Sequence, residues 1–95
     1  LSDNDINLLE RYEREKNAAQ ANLKSAELMR DTAKINLDRQ LKLYEQGLSA
    51  RKEYEKAKIE FSKLEMEVAK ALVGLTKSET QLSRQSSQEV RAPRD

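Results

Sequence analysis

The sequence contains no cysteine, histidine or tryptophan, and its 95 residues include only two glycines and one proline. Without cysteine the chain can form no disulfide and perform no thiol chemistry, and without histidine it lacks the commonest general base. No glycine-rich phosphate loop occurs, and the many carboxylates fall on helix faces without a predicted pocket to perturb them. We therefore expect no enzyme, no cofactor and no bound metal.

Long apolar runs and basic clusters are also absent. Without a long apolar run, the chain is predicted to have no membrane-spanning or signal-like segment. Without a basic cluster, and with a net charge of +1, it is predicted not to bind nucleic acid. Aromatic residues make up only 4% of the chain, while charged and hydrophobic residues make up 37% each. Such a chain can bury a narrow seam but not a thick core, which favours a coiled coil or a long helical arm.

The first half of the chain predicts one helix over residues 3–46, because it has neither glycine nor proline there. Ser2 is a candidate N-cap. Lys16 and Arg30 interrupt the apolar seam, where their aliphatic stems could lie along a groove with the charges outward. The seam follows steps of three and four residues: Leu9, Tyr12, Ala19, Leu23, Ala26, Ala33, Leu37 and Leu41 or Tyr44.

The second half predicts another helix, over residues 49–84, with a more regular seam. Only Ser78 is polar in that seam, and Gly74 either allows a close approach, bends the helix slightly or is simply tolerated. Regularly spaced lysines, each of the first three preceded by a glutamate, are typical of a solvated face. The seam residues are Ala50, Tyr54, Ala57, Phe61, Leu64, Val68, Ala71, Leu75, Ser78 and Leu82.

The stretch between the two patterns predicts a reversal at residues 46–49. Gly47 can adopt a positive φ and end the first helix as its C′ residue, and Ser49 can cap the second. Folding the chain there places seam residues opposite each other when their numbers add to about 95, with large residues mostly facing small ones. We therefore predict an all-α fold, a long antiparallel two-helix coiled-coil hairpin over residues 1–84. Residues 85–95 are expected to form an exit linker, disordered or held only locally, because the heptad is lost there. Its final segment, from Val90, is expected to be extended, since Pro93 bars a helix.

Two further apolar lines lie outside the seams. Each recurs every seven residues. The line on the first helix is interpreted either as scattered surface residues or as a lateral face for a neighbouring subunit, and the line on the second helix as a surface used against another molecule. They comprise Ala21, Leu28 and Ile35 on the first helix, and Ile59, Met66 and Val73 on the second.

The run from Arg39 to Tyr54 and the final six residues, Val90 to Asp95, together resemble a known family. The first resembles the hairpin tip of bacterial membrane-fusion proteins of the HlyD-like kind, also called periplasmic adaptor proteins. The second resembles the segment through which such chains leave the hairpin and re-enter a lipoyl-like domain. The resemblance implies that the whole sequence is the hairpin of such a protein, with the lipoyl-like domain outside it.

The resemblance also implies a function. Adaptors bridge an inner-membrane transporter and a TolC-like outer-membrane channel, and they assemble as a ring, commonly a hexamer, in the periplasm. The full-length protein is anchored to the inner membrane, whereas the hairpin itself touches no membrane. The exit segment favours an ABC-type exporter or type I secretion over a pump of the RND class.

Members that dock on such channels tend to carry an arginine, a leucine four residues later and a serine seven residues beyond it. Arg39 and Leu43 match this pattern, whereas Ala50 stands at the third position and Ser49 precedes it. Ser49 is then either a helix cap or the channel contact itself. The resemblance implies a channel-docking tip made of Arg39, Leu43, Gln46, Gly47, Leu48 and Ser49, and lateral hairpin packing through Leu28, Ile35, Ile59, Met66 and Val73. The rival interpretation is a generic coiled-coil scaffold or dimerisation arm with no channel partner.

Overall fold

The computed structural model describes residues 2–90, with side chains up to residue 87. It contains two long helices, α1 at Asp3–Glu45 and α2 at Arg51–Val90, joined by a short connection. The helices pack against each other in antiparallel fashion, and α1 is about 65 Å long at 1.5 Å per residue. The predicted all-α hairpin is therefore confirmed. Neither helix contains a stretch apolar enough to cross a membrane within the part of the chain that is described.

The start of α1 is fixed by Ser2, as predicted. Its backbone is extended, and its hydroxyl oxygen accepts a hydrogen bond from the Asp5 backbone N–H at 3.2 Å. The same hydroxyl donates to the Asp5 carboxylate at 2.9 Å. One of the N–H groups left unpaired at a helix start is thus satisfied, and a carboxylate lies at the positive end of the helix dipole.

The end of α1 is a Schellman motif centred on Gly47. This glycine has φ +72°, and its N–H donates to the Tyr44 carbonyl at 3.0 Å. The Leu48 N–H donates to the Leu43 carbonyl at 2.8 Å, which completes the pair of bonds that defines the motif. The predicted role of Gly47 as the C′ residue is confirmed.

The start of α2 differs from the prediction. The helix begins at Arg51 rather than near residue 49, so Ala50 occupies the N-cap position, and its carbonyl accepts the Glu53 N–H at 3.0 Å. The Ser49 hydroxyl instead donates to the side-chain carbonyl of Gln40 at 3.4 Å. The prediction that Ser49 caps α2 is wrong, because the Schellman motif uses the chain as far as Leu48 and the new helix axis starts later.

The end of α2 also lies beyond the predicted position. The helix continues to Val90, so the expected exit linker is wrong for residues 85–90. The physical reason is that nothing in these six residues breaks a helix, and Gln85 is half-buried one three-residue step beyond Leu82. The remaining part of the expected linker, residues 91–95, lies outside the described residues.

The hairpin is held by a single narrow seam. Its three buried side chains, Ala57, Leu64 and Ala71, are spaced by seven residues on α2 and are 4%, 8% and 7% exposed. The other predicted seam positions are half-buried, apart from Tyr44 and Ala50, which are exposed. Lys16 and Arg30 are half-buried within the seam of α1, as expected for stems that lie along a groove.

The register agrees with the predicted folding of the chain. Near the tip the rings of Tyr44 and Tyr54 stack, with centroids 5.9 Å apart and planes inclined by 4°. Further down, the Lys34 ammonium lies 5.6 Å from the centre of the Phe61 ring. Near the open end, Leu9 lines a groove together with residues of α2 that include Leu82. Opposed residue numbers thus add to about 95 along the shaft.

Candidate functional site

The tip presents an arginine on the outer surface of α1. Arg39 is exposed and forms no ion pair with any described residue. Leu43, four residues later, lies on the same side of the helix and is half-buried, and Gln46 follows three residues after it and is exposed. A cation, an apolar side chain and an amide are therefore aligned over the last two turns before the reversal.

The reversal itself is exposed and carries no charge. Gln46, Gly47 and Leu48 are all exposed, and Leu48 shows 71% of its surface to solvent. A Cβ atom placed on Gly47 would meet nothing within 4 Å. Glycine is needed here for its positive φ and not for space within the hairpin.

The two candidate serine positions are presented differently. Ser49 is half-buried and its hydroxyl is directed toward Gln40 on the facing helix. Ala50 is exposed and offers only a methyl group. The structure therefore brings Arg39, Leu43, Gln46, Gly47 and Leu48 together at the outer surface of the tip, while the Ser49 hydroxyl is turned inward.

A tyrosine stack below the tip was missed by the sequence reasoning. Tyr44 and Tyr54 bridge the two helices one turn from the reversal, and the Lys58 ammonium lies 5.5 Å from the centre of the Tyr54 ring. Aromatic pairs of this geometry contribute about 0.5–1.5 kcal/mol beyond the area they bury. The sequence did contain a sign of this stack, because Tyr44 fits the last position of the α1 seam as well as Leu41 does.

The two lateral lines lie outside the buried part of the seam, one on α1 and one on α2. Their large members are exposed: Leu28 by 62%, Ile35 by 61%, Ile59 by 70%, Met66 by 61% and Val73 by 56%. Large apolar side chains that recur in a line at such exposure are more typical of an interaction surface than of an isolated monomer.

The α1 edge is wider than the sequence pattern predicted. Met29 is 55% exposed and, with Leu28 and Leu64, lines an apolar groove between the helices. The exposed positions on this side of α1 carry no charge over five turns, although over a third of the chain is charged. They are Ala18, Ala21, Asn22, Ser25, Leu28, Met29, Thr32, Ile35 and Asn36.

Comparison with known proteins gives no further information on the site: no protein-family model, no curated protein and no solved structure matches the chain.

Proposed function

We propose that this hairpin is the periplasmic arm of an export adaptor, which docks by its tip on a TolC-like outer-membrane channel. The observation that carries the proposal is the tip. The stretch whose residues resemble the adaptor family is also the stretch that forms the reversal, and it projects at the end of a shaft about 65 Å long. A long arm with an uncharged, exposed end suits contact with a distant partner.

The side chains at the tip suggest how docking works. The Arg39 guanidinium is free to offer its planar fork of N–H donors to a carboxylate or to backbone carbonyls of the channel. Leu43 and Leu48 supply apolar area, and the bare backbone of Gly47 allows another chain to approach closely. Within this proposal Ser49 is a secondary contact, because its hydroxyl is directed toward Gln40.

The lateral edges support self-assembly of the arms into part of the export conduit. In neighbouring hairpins that point the same way, the α1 edge of one faces the α2 edge of the next. Ile35 then lies level with Ile59, and Leu28 with Met66. The reason is that the two numbers of each pair add to about 95, as do those of residues that face each other within one hairpin. Each such contact is small, so assembly depends on several contacts closing together, as in the ring that the family forms. In this proposal an inner-membrane transporter is reached through domains outside the sequence.

The test of tip docking is site-specific crosslinking in cells. Cysteine replaces Arg39 or Leu43 in the full-length protein, and a bifunctional thiol reagent joins it to a cysteine at the tip of a candidate channel. The matched control is Lys24→Cys, which replaces an exposed basic residue of α1 outside the α1 edge, about 22 Å down the shaft from Arg39. We expect crosslinks from positions 39 and 43 and none from position 24.

The outcome separates the adaptor from a scaffold with no channel partner. A scaffold gives no channel crosslink at the tip, or gives the same weak yield from all three positions, and either result would refute the docking proposal. Self-assembly is tested separately with Ile35→Cys and Ile59→Cys in one chain. We expect disulfide-linked multimers from the pair but only monomers and dimers from either cysteine alone.

A further inference from the structure

Among the described residues, the buried part of the seam ends before the open end of the hairpin. The last buried seam residue is Ala71, and the seam residues beyond it, Leu75, Ser78, Leu82 and Gln85, are only half-buried. Water therefore reaches every described seam position beyond Ala71, whereas Ala57, Leu64 and Ala71 exclude it nearer the tip.

A polar layer divides the two halves. Lys16 on α1 and Ser78 on α2 occupy seam positions at the same level, and both are half-buried. No hydrogen bond joins them among the described side chains. The layer separates the apolar cluster around Leu9 and Leu82 from the continuous seam that begins at Ala19 and Leu75. A polar layer of this kind weakens a coiled coil locally.

Helix α2 is intrinsically weak at the same level. Gly74 lies in its interior, where glycine costs about 1 kcal/mol relative to alanine, and a Cβ atom there would meet nothing within 4 Å. The hydroxyls of Thr76 and Thr80 donate to the carbonyls of Leu72 and Thr76, at 3.0 and 2.9 Å. Such bonds back to the preceding turn slightly destabilise and often bend a helix.

Within the described part of the chain, no ion pair links the two helices. Every salt bridge among the described side chains joins residues of the same helix, one to four positions apart. Among the side chains up to residue 87, the one hydrogen bond that links α1 to the segment beyond the turn runs from Ser49 to Gln40 and lies at the tip. Beyond Ala71 the two arms are therefore held together by the half-buried seam alone.

From these coinciding features we propose that the hairpin has a built-in hinge at residues 74–78. Residues 3–16 of α1 and 78–87 of α2 separate as one cooperative unit, while the seam from Ala19 and Leu75 to the tip stays closed. This inference goes beyond the proposed function and does not depend on it. It describes a shaft whose tip half is a stiff rod and whose open half can splay.

Hydrogen exchange of the 95-residue chain, followed by mass spectrometry, tests the hinge. After correction for intrinsic rates, peptides of the open half should exchange at least about tenfold faster than peptides from 23–45 and 51–71, with a step near residue 76. The double variant Lys16→Leu with Ser78→Leu makes the polar layer apolar and should bring the ratio of the two rates close to one. The matched control, Lys24→Leu with Ser83→Leu, makes the same chemical changes at exposed positions and should leave the ratio unchanged.

Three results would overturn the hinge. The first is equal protection of the two halves in the unmodified chain. The second is a smooth rise in exchange toward the termini without a step, which is ordinary fraying. The third is a step that survives in the Lys16→Leu, Ser78→Leu variant, because it would show that the polar layer does not set the boundary.

Discussion

Replacing Ala50 by serine is expected to stabilise the hairpin. Ala50 occupies the N-cap position of α2, where an alanine leaves the first backbone N–H groups without a side-chain acceptor. A serine hydroxyl at this position can accept the Glu53 N–H. The new sequence from residue 50 to residue 53 would read Ser-Arg-Lys-Glu, in which the Glu53 carboxylate can reach back to the N–H of residue 50. This reciprocal arrangement is a capping box.

The expected gain is about 1 kcal/mol, within the range of about 0.5–2 kcal/mol found for exchanging alanine and serine at N-caps. For a chain of this size, 1 kcal/mol raises Tm by roughly 4–8 °C. Ser49→Ala should change the free energy of unfolding by less than about 0.5 kcal/mol, because the 3.4 Å bond to Gln40 is long for a hydroxyl donor.

The measurement is urea unfolding followed by circular dichroism at two protein concentrations, so that any arm-exchanged dimer is detected. The hydroxyl is isolated by comparing Ala50→Thr with Ala50→Val, two side chains of nearly the same shape of which only threonine can accept a hydrogen bond. We expect the threonine variant to be the more stable by about 0.5–1 kcal/mol.

The opposite pattern would refute this account of the turn. If Ser49→Ala costs 1 kcal/mol or more while Ala50→Ser and the threonine–valine comparison show no effect, then Ser49 is the cap and α2 starts one residue earlier. Under the proposed docking function, Ala50→Ser would also place a serine at the third position of the docking pattern of periplasmic adaptors, and the variant should then increase the yield of tip crosslinks to the channel.

Three other predictions concern the stability of the shaft and turn, each measured by urea unfolding. Gly74→Ala should stabilise the hairpin by about 1 kcal/mol, because alanine favours a helix interior and the added methyl group meets open space. The control is the reverse exchange at an exposed position, Ala69→Gly, which should destabilise by a similar amount. A loss of stability for Gly74→Ala would contradict the prediction. Gly47→Ala should lower the free energy of unfolding by about 1–2 kcal/mol, because residue 47 has a positive φ, and should raise the fraction of arm-exchanged dimer seen by light scattering. Gly47→Asn should lower it by less. Equal stability of the unmodified, alanine and asparagine chains would exclude a requirement for positive φ. A double-mutant cycle of Tyr44→Ala and Tyr54→Ala should give a coupling energy of about 0.5–1.5 kcal/mol, and additive losses would mean that the ring stack contributes nothing of its own.

Much of this fold could be predicted from the sequence because a two-helix hairpin is governed by one periodic pattern. Alternating three- and four-residue steps place Leu23, Ala57 and Leu64 on one side of their helices whatever the details of packing. Gly47 could be assigned to the C′ position because it is the only glycine or proline near the middle of the chain and because C′ requires a positive φ.

The errors arose where a boundary depends on geometry rather than on period. Ser49 is a good N-cap residue, but the path of the chain out of the Schellman motif places Ala50 at the start of the next helix. The end of α2 was placed too early because the seam weakens after Leu82, although a helix needs no strong seam for its last two turns. The Tyr44–Tyr54 stack depends on ring orientation, which residue spacing alone does not determine.

The uniform register of the two arms has a consequence for how length can vary. Removing residues 27–33 together with 62–68 takes one full repeat from each arm at the same height, which leaves the turn and the remaining facing pairs intact. The molecule would be shorter by about 10.5 Å, whereas removing either segment alone would misalign everything between the cut and the open end. The length of the hairpin can therefore change by one seven-residue repeat in both helices at once, while the turn at its tip stays the same.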